Sequence, residues 1–428
     1  MPYELRKVGT RGEILRNLRV ARQAAAVATA FSLPLSTSAQ AIAVSVFVVL
    51  AIATLDVKRF ATTMRSPAAW LPAALFALIL LGVTWSSEPL PTALRWVGPY
   101  AKLMLIPIVM MTAFSRKDGL QIAFAFLTAC TILLVLSWAS LIWPSGPWNW
   151  LKAPGLPVKD NAVQSGEFAL CAFGLAYAGL RLWRENRGRA MLALSLAALF
   201  FANALLVNVS KTGILMGGAL LVLLLLETQG WRRGVIIAIP AVLAVVTALS
   251  FSPSAQVRFK QFLEGTEPMH ENRENYSTLA RLYFWKQSGQ LIASAPLLGH
   301  GTGSIAALYR GFDQSKTFGD IPDPHNQFLH TTFQVGLIGG ALLIAMWAAH
   351  LALFWGSGQL RTMGLAIVVQ NILGSLFNSH LSTVTQGMLY CLGVGLVGAL
   401  IWSARLPASS IERARDSFVR KPPDAASA

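Results

Sequence analysis

A chain of 428 residues with 54% apolar and only 13% charged residues holds too little polar material for a soluble globule of this size. The apolar residues gather in long runs, and a bilayer core about 30 Å thick takes about 20 such residues as one helix. Lipid cannot hydrogen-bond bare backbone, so these runs must be helices, and the short alternating segments of a transmembrane barrel are missing.

In chain order the runs predict an all-α integral membrane protein with about twelve transmembrane helices, at approximately 22–37, 39–55, 67–85, 95–114, 119–143, 162–180, 190–209, 212–227, 234–250, 329–355, 362–378 and 384–403. Ser32, Pro34, Ser36 and Ser38 dilute the first. Spans one to nine form a bundle over 1–250, followed by a large loop over 251–328, three further spans over 329–403 and a tail over 404–428.

Basic residues orient the chain. Arg6, Lys7, Arg11, Arg16, Arg19 and Arg22 precede or open the first span. Alternate connections carry Lys58, Arg59 and Arg65; Arg116 and Lys117; Arg181, Arg184, Arg187 and Arg189; Arg232 and Arg233; and Arg361. The tail adds Arg405, Arg413, Arg415, Arg420 and Lys421, whereas the short connections on the other side hold Arg95, Lys152, Lys159 and Lys211. Both ends are therefore expected in the cytoplasm, with the 251–328 loop outside. The net charge of +16 then reports topology. Nucleic-acid binding would need a basic face with interleaved aromatics. No cleavable signal peptide is expected, because no small-residue cleavage site follows the basic start. Cys130, Cys171 and Cys391 fall inside spans and read as small buried apolar residues.

The polar chemistry gathers outside. Residues 144–161 are rich in Pro, Gly and Trp, with Trp143, Trp148 and Trp150 suited to an aromatic belt. Val257, Phe259, Phe262 and Leu263, with Arg258 and Lys260, predict a helix lying on the lipid surface. A second helix is predicted over 278–293 with Ser277 as N-cap, placing Arg281, Trp285 and Ser288 on one face. It ends at the turn Pro296-Leu297-Leu298-Gly299. The glycines at 299, 301 and 303 suit a plain turn or a phosphate nest, and the lack of strand–helix context favours the turn.

Asp323-Pro324-His325-Asn326-Gln327 reads as a helix start, with Asp at N-cap, Pro at N1 and His325 in the first turn at the outer membrane surface. The positive helix end favours neutral imidazole, able to accept a proton near pH 7, while Asp320 and Asp323 push the other way. Ionisable groups within spans are costly and mark functional candidates. Lys102 and Glu167 lie at similar depth from outside, and Lys211 sits in the turn between spans seven and eight. An ion pair between Lys102 and Glu167 would simply lock the bundle; a shared outer site with His325 and Arg281 is the alternative. Such a set of cations suits a pyrophosphate, with Arg281 gripping two oxygens and Lys211 acting as a point charge.

Three segments in order carry a resemblance: Val209-Ser210-Lys211-Thr212-Gly213; Arg281 and Trp285 followed by Pro296-Leu297-Leu298-Gly299-His300-Gly301; and Pro324-His325-Asn326-Gln327-Phe328-Leu329 followed by Gly336-Leu337-Ile338-Gly339. Together they resemble the O-antigen ligase and polymerase superfamily. The topological likeness covers nearly the whole chain, and the motifs cover roughly 205–340.

That resemblance implies a C-type glycosyltransferase-like fold in the bacterial inner membrane, with the active site facing the periplasm. Such ligases move O-antigen polysaccharide from undecaprenyl pyrophosphate to lipid A–core oligosaccharide without a nucleotide sugar. The implied partners are that lipid-linked donor, the lipid A–core acceptor and membrane lipids, with no nucleic acid and no cofactor. By the family pattern, Lys211 and Arg281 hold the pyrophosphate and His325 activates the acceptor hydroxyl. Lys211 stands where the family usually has Arg, which keeps the charge but not the forked geometry. Lys102 is a third candidate for the pyrophosphate, and Glu167, Asn326 and His380 (within Asn378-Ser379-His380) are candidate supports.

The mechanism expected is direct displacement with inversion and without metal, although Asp320-x-x-Asp323-x-His325 has a spacing open to a divalent ion. The nearest alternative is an O-antigen polymerase, and a protein-glycosylating ligase is another. From a different class, a twelve-helix secondary transporter would carry its main connection between spans six and seven. Here that connection is short and basic.

Overall fold

The computed structural model describes residues 2–148, 151–207, 210–250, 276–310, 323–355 and 358–405. The regular structure of these residues is all helical, with no strand beyond an isolated bridge between Ala153 and Leu156. The helices in order are α1 Pro2–Leu35, α2 Thr37–Ala53, α3 Val57–Thr63, α4 Pro67–Leu81, α5 Leu90–Val97, α6 Leu105–Met110, α7 Arg116–Ile142, α8 Asn161–Leu182, α9 Arg187–Leu206, α10 Lys211–Gln229, α11 Trp231–Ser250, α12 Tyr276–Ser294, α13 Ile305–Arg310, α14 Gln327–Trp355, α15 Arg361–Ser375 and α16 Val384–Arg405.

Each of the twelve expected spans falls on one of these helices or on a broken pair. By length and composition, seven described stretches qualify to cross a membrane, or eight if the bent pair α2–α3 counts as one. Part of the difference has physical causes. Helix α1 begins in polar sequence, α2 and α15 run 17 and 15 residues, and α8 opens with Asn161, Gln164 and Glu167. The expected surface helix over 257–263, Trp150, Val209, Asp320 and the tail beyond Arg405 lie outside the described residues.

Apolar residues spaced along α4, α6, α14, α15 and α16 meet in the main core, which includes Leu75, Ile106, Leu343, Met346, Phe354, Ala366 and Val394. Between helices in lipid, close packing holds such a core more than transfer from water does. Cys130, Cys171 and Cys391 are buried and unbridged, as their place in the spans predicts.

Two spans expected to be continuous are broken. The stretch over 95–114 splits into α5, a 3-10 segment Gly98–Met104 and α6. Gly98 and Pro99 explain the break, since proline lacks the amide and clashes with the preceding turn. Helix α14 loses helical geometry at Val335 and Gly336, where Gly336 takes φ +69. A Cβ there would lie 1.9 Å from the Leu297 carbonyl oxygen, so only glycine fits.

The kink frees backbone groups that lipid would leave unsatisfied. The Pro296–Gly301 turn takes them up: Leu337 N–H donates to the Pro296 carbonyl at 2.7 Å. His300 and Gly301 N–H donate to the carbonyls of Phe333 and Gln334 at 3.1 and 2.8 Å. Thr302 N–H donates to the Gly82 carbonyl and Gly303 N–H to Gln334 Oε1. The amides of 300–303 are therefore spent inside the fold, and the glycine-rich segment is a clasp rather than a phosphate nest.

Helix α12 is docked on α14 through Phe284, Tyr309 and Phe333, with the Ser288 and Tyr309 hydroxyls 2.6 Å apart. Ser277, expected as the N-cap, lies within α12 as described from Tyr276.

Candidate functional site

His325 is the one non-glycine among the described residues with positive φ, at 53°. It stands outside the helix, contrary to the expectation that it occupies the first turn. Asp323 is the cause. Its Oδ1 accepts the His325 N–H at 2.9 Å, closing a local turn, and also accepts from the Ser379 hydroxyl. The capping task passes to Asn326, whose Oδ1 accepts the Leu329 N–H at 3.1 Å while its Nδ2 donates to the Leu376 carbonyl at 3.0 Å. A backbone in this strained region persists only where surroundings over-determine it. Here Asp323, Asn326 and the turn after α15 do so.

The imidazole faces that same turn, with Nδ1 3.3 Å from Asn378 Oδ1. On its other flank, Trp285 Nε1 donates to the Pro324 carbonyl at 3.1 Å and its ring packs near Phe377. Arg281 lies one helical turn before Trp285, half-buried, with a buried Nε–H that has no hydrogen-bond partner among the described residues. Burial holds its guanidinium below the ordinary pKa, and nearby Asp323 pulls it back up. Asp323 thus couples the arginine, the histidine and the 379 turn.

Beneath His325, α14 presents a polar face that the sequence reading missed. Gln327 Oε1 accepts the Leu381 N–H at 2.8 Å, and its Nε2 donates to the Tyr100 hydroxyl at 3.2 Å. The Tyr100 hydroxyl lies 2.6 Å from His330 Nδ1, and Gln334 Nε2 donates to the His330 carbonyl at 3.1 Å. All four side chains are buried. The signal was available: polar residues at 327, 330, 331 and 334 share one face of an otherwise apolar helix. Lys102, also buried, sits in the 3-10 segment and donates through Nζ to the carbonyls of Thr383 and Ser382.

The remaining candidates lie around the starts of α8 and α10. Ser210 caps α10 by accepting the Gly213 N–H at 2.8 Å, and its hydroxyl is 2.8 Å from that of Ser165 on α8. This fixes the exposed Lys211 as the first residue of α10, beside the Asn161 end of α8. Glu167 is fully buried on α8, with neither carboxylate oxygen hydrogen-bonded among the described residues, and its electrostatic neighbours are Lys159 and Asp160. Burial lowers the Lys159 pKa, against the pull of Glu167 and Asp160. Among the described residues no ion pair joins Lys102 to Glu167, so the bundle-locking pair does not form.

His380 is 2% exposed and packs on Gly374, where a Cβ would lie 1.9 Å from the ring. Burial pushes its imidazole down to about 4, opposed by Asp160 and Asp323. Those two neighbours tie His380 to the start of α8 on one side and to the His325 turn on the other. Arg281, His325, Asn326 and His380 are thus gathered around Asp323. Lys102 supports the 382–383 backbone, while Lys211 and Glu167 border the set through α8.

A family model described as O-antigen ligase matches residues 196–344, a stretch that contains Lys211, Arg281, His325 and Asn326. No curated protein matches the chain. The matched segment runs from α9 through the kink of α14, and it supports membership of the O-antigen ligase and polymerase superfamily for this all-helical membrane protein.

Proposed function

We propose that the chain is a glycosyltransferase that acts on polyprenyl-pyrophosphate-linked glycan, specifically an O-antigen ligase acting at the periplasmic face of the bacterial inner membrane. One observation carries this reading: the strained His325, clamped by Asp323 and facing Asn378, with Arg281 beside the same carboxylate.

In the tautomer where Nδ1–H donates to Asn378 Oδ1, Nε2 of His325 keeps its lone pair and serves as base. It takes the proton from an acceptor hydroxyl as that oxygen bonds to the donor's anomeric carbon. The bond from that carbon to the pyrophosphate oxygen breaks on the opposite face, which inverts the centre. Negative charge then grows on undecaprenyl pyrophosphate, and cations placed before the reaction stabilise it. Arg281 offers an unspent Nε–H toward a forked grip, and Lys211 a point charge. Lys102, already held on two carbonyls, acts by fixing the turn that carries His380. Asn326 and His380 hold the rim of the site, and the balance of charge requires no metal.

The test is transfer by purified protein from undecaprenyl-pyrophosphate-linked O-antigen to lipid A–core. Product on lipid A–core supports the ligase. Lengthened lipid-linked glycan identifies a polymerase instead, and retention of activity after chelation with EDTA supports the metal-free step.

A further inference from the structure

A sizeable cavity lies away from this site. It has a volume of about 1180 Å³ and lies among α1, the α2–α3 connection and the start of α7. The Ser403 hydroxyl near the end of α16 accepts from Arg59 in the same region, whereas the Thr383 carbonyl just before α16 accepts from Lys102 beneath the His325 turn. Those two points are separated by most of α16, roughly 30 Å at 1.5 Å per residue. The cavity is therefore at the far end of the bundle, the end bearing the basic connections.

Four arginines line it: Arg16, Arg19, Arg22 and Arg59. Arg22 is 8% exposed, although Arg19 and Arg59 are near enough to repel it. One edge of its guanidinium is committed, Nη1 donating to Thr54 Oγ1 at 2.6 Å, and its Nε–H is buried without a partner. Arg59 repeats the pattern. Its Nη2 donates to the Thr112 carbonyl and Ser403 hydroxyl, both at 3.1 Å, and its Nε–H is buried and unpaired. Each carboxylate in the cavity has one oxygen held by backbone amides. Asp56 accepts the amides of Lys58 and Arg59, and Asp118 closes a capping box with Ser115. Among the described residues no ion pair joins Arg19, Arg22 or Arg59 to an acid.

The buried Arg22 and the half-buried Arg59, each with an Nε–H left unpaired, are only partly balanced by Asp118 and Asp56, which favours an anion at this cavity. Phe31 and Phe124, both exposed, line the same cavity and suit acyl chains. We propose that this cavity binds one acidic glycerophospholipid of the cytoplasmic leaflet, its headgroup phosphate on Arg22 and Arg59 and its chains along Phe31 and Phe124. The inference rests on the orientation that the basic connections give, and it is independent of the transfer chemistry.

The test uses the full chain in phosphatidylcholine nanodiscs doped with phosphatidylglycerol, with retained lipid counted by native mass spectrometry. Wild type retains one phosphatidylglycerol in preference to phosphatidylcholine. Arg22→Gln combined with Arg59→Gln weakens retention about tenfold or more, the size expected for lost charge-assisted hydrogen bonds. Arg187→Gln with Arg189→Gln, on another basic connection, leaves it unchanged. Ala28→Trp keeps every charge but fills the cavity, and it also abolishes retention, which decides the matter if the arginine variants fail to fold. Equal retention of both lipids, undiminished binding in Ala28→Trp, or full displacement by inorganic phosphate overturns the proposal.

Discussion

On the N-terminal side of its kink, the side that the basic connections lead one to expect outside, α14 presents Gln327, His330 and Gln334 to hydrogen-bond partners from the α5–α6 stretch, the 299–303 clasp and the 379–383 turn. On the inner side it presents Leu343, Met346 and Phe354 to an apolar core. His350 is the inner exception, bridging the Tyr390 hydroxyl and the Ala68 carbonyl. Hydrogen bonds have direction, so the outer half admits one geometry for the loops that carry His325 and His380. Dispersion has little direction, so the inner half secures proximity of helices without specifying a site. One helix thus separates positioning from cohesion, and the break at Gly336 is the boundary.

Substitutions on the two sides should therefore fail differently. The largest effect is expected at His325→Ala, which should lower transfer by about 10³-fold, within the range for loss of a general base. The unfolding midpoint should stay near wild type. Transfer at the normal rate would remove His325 from the chemistry.

Next comes acid sensitivity of the outer end. His380 has a folded pKa of about 4 against an ordinary 6.5. Between those values the unfolded chain binds more protons, so stability present above pH 6.5 is lost as pH falls toward 4. The loss from this residue is up to about 3 kcal/mol. Thermal melts at pH 7 and pH 5 should show a smaller drop for His380→Gln than for wild type, and an equal drop would show that another group is responsible.

On the inner side, Leu343→Ala should lower stability by about 2 kcal/mol through the cavity it leaves. Transfer per folded molecule should persist; its loss would mean that cohesion and positioning are not separable. Arg281→Lys is expected to cost about tenfold in transfer, because one ammonium cannot make the forked contact, and full activity would show that charge alone suffices. Smallest of all is Lys211→Arg, expected to stay within about twofold since charge and reach are kept. Inactivity there would place the donor elsewhere than beside α10.

Much of this was legible before any coordinates. Helix placement follows from apolar length, and His325, Arg281 and Lys211 stand in segments recognisable by order and type. The errors cluster where a side chain chose between local and distant partners. Asp323 looks like an N-cap, but Ser379 shares its carboxylate and the chain turns at His325, so capping moves to Asn326. Lys102 looks like a free cation within a span, yet it is held by two carbonyls some 280 residues away in sequence. The three glycines, by contrast, read as a plain turn, and the structure adds that the amides of 300–303 close the kink of α14.

The sequence alone determined the properties that depend on neighbouring residues: helical spans and the side on which positive charge accumulates. Those are sums over local composition, weighed against the cost of exposing backbone to lipid. Only the tertiary structure decided which donor meets which acceptor, because each polar side chain has several satisfactory partners and the packed helices bring just one within reach. For that reason the clasp on the kink, the clamp on His325 and the arginine-lined cavity emerge from the assembled chain.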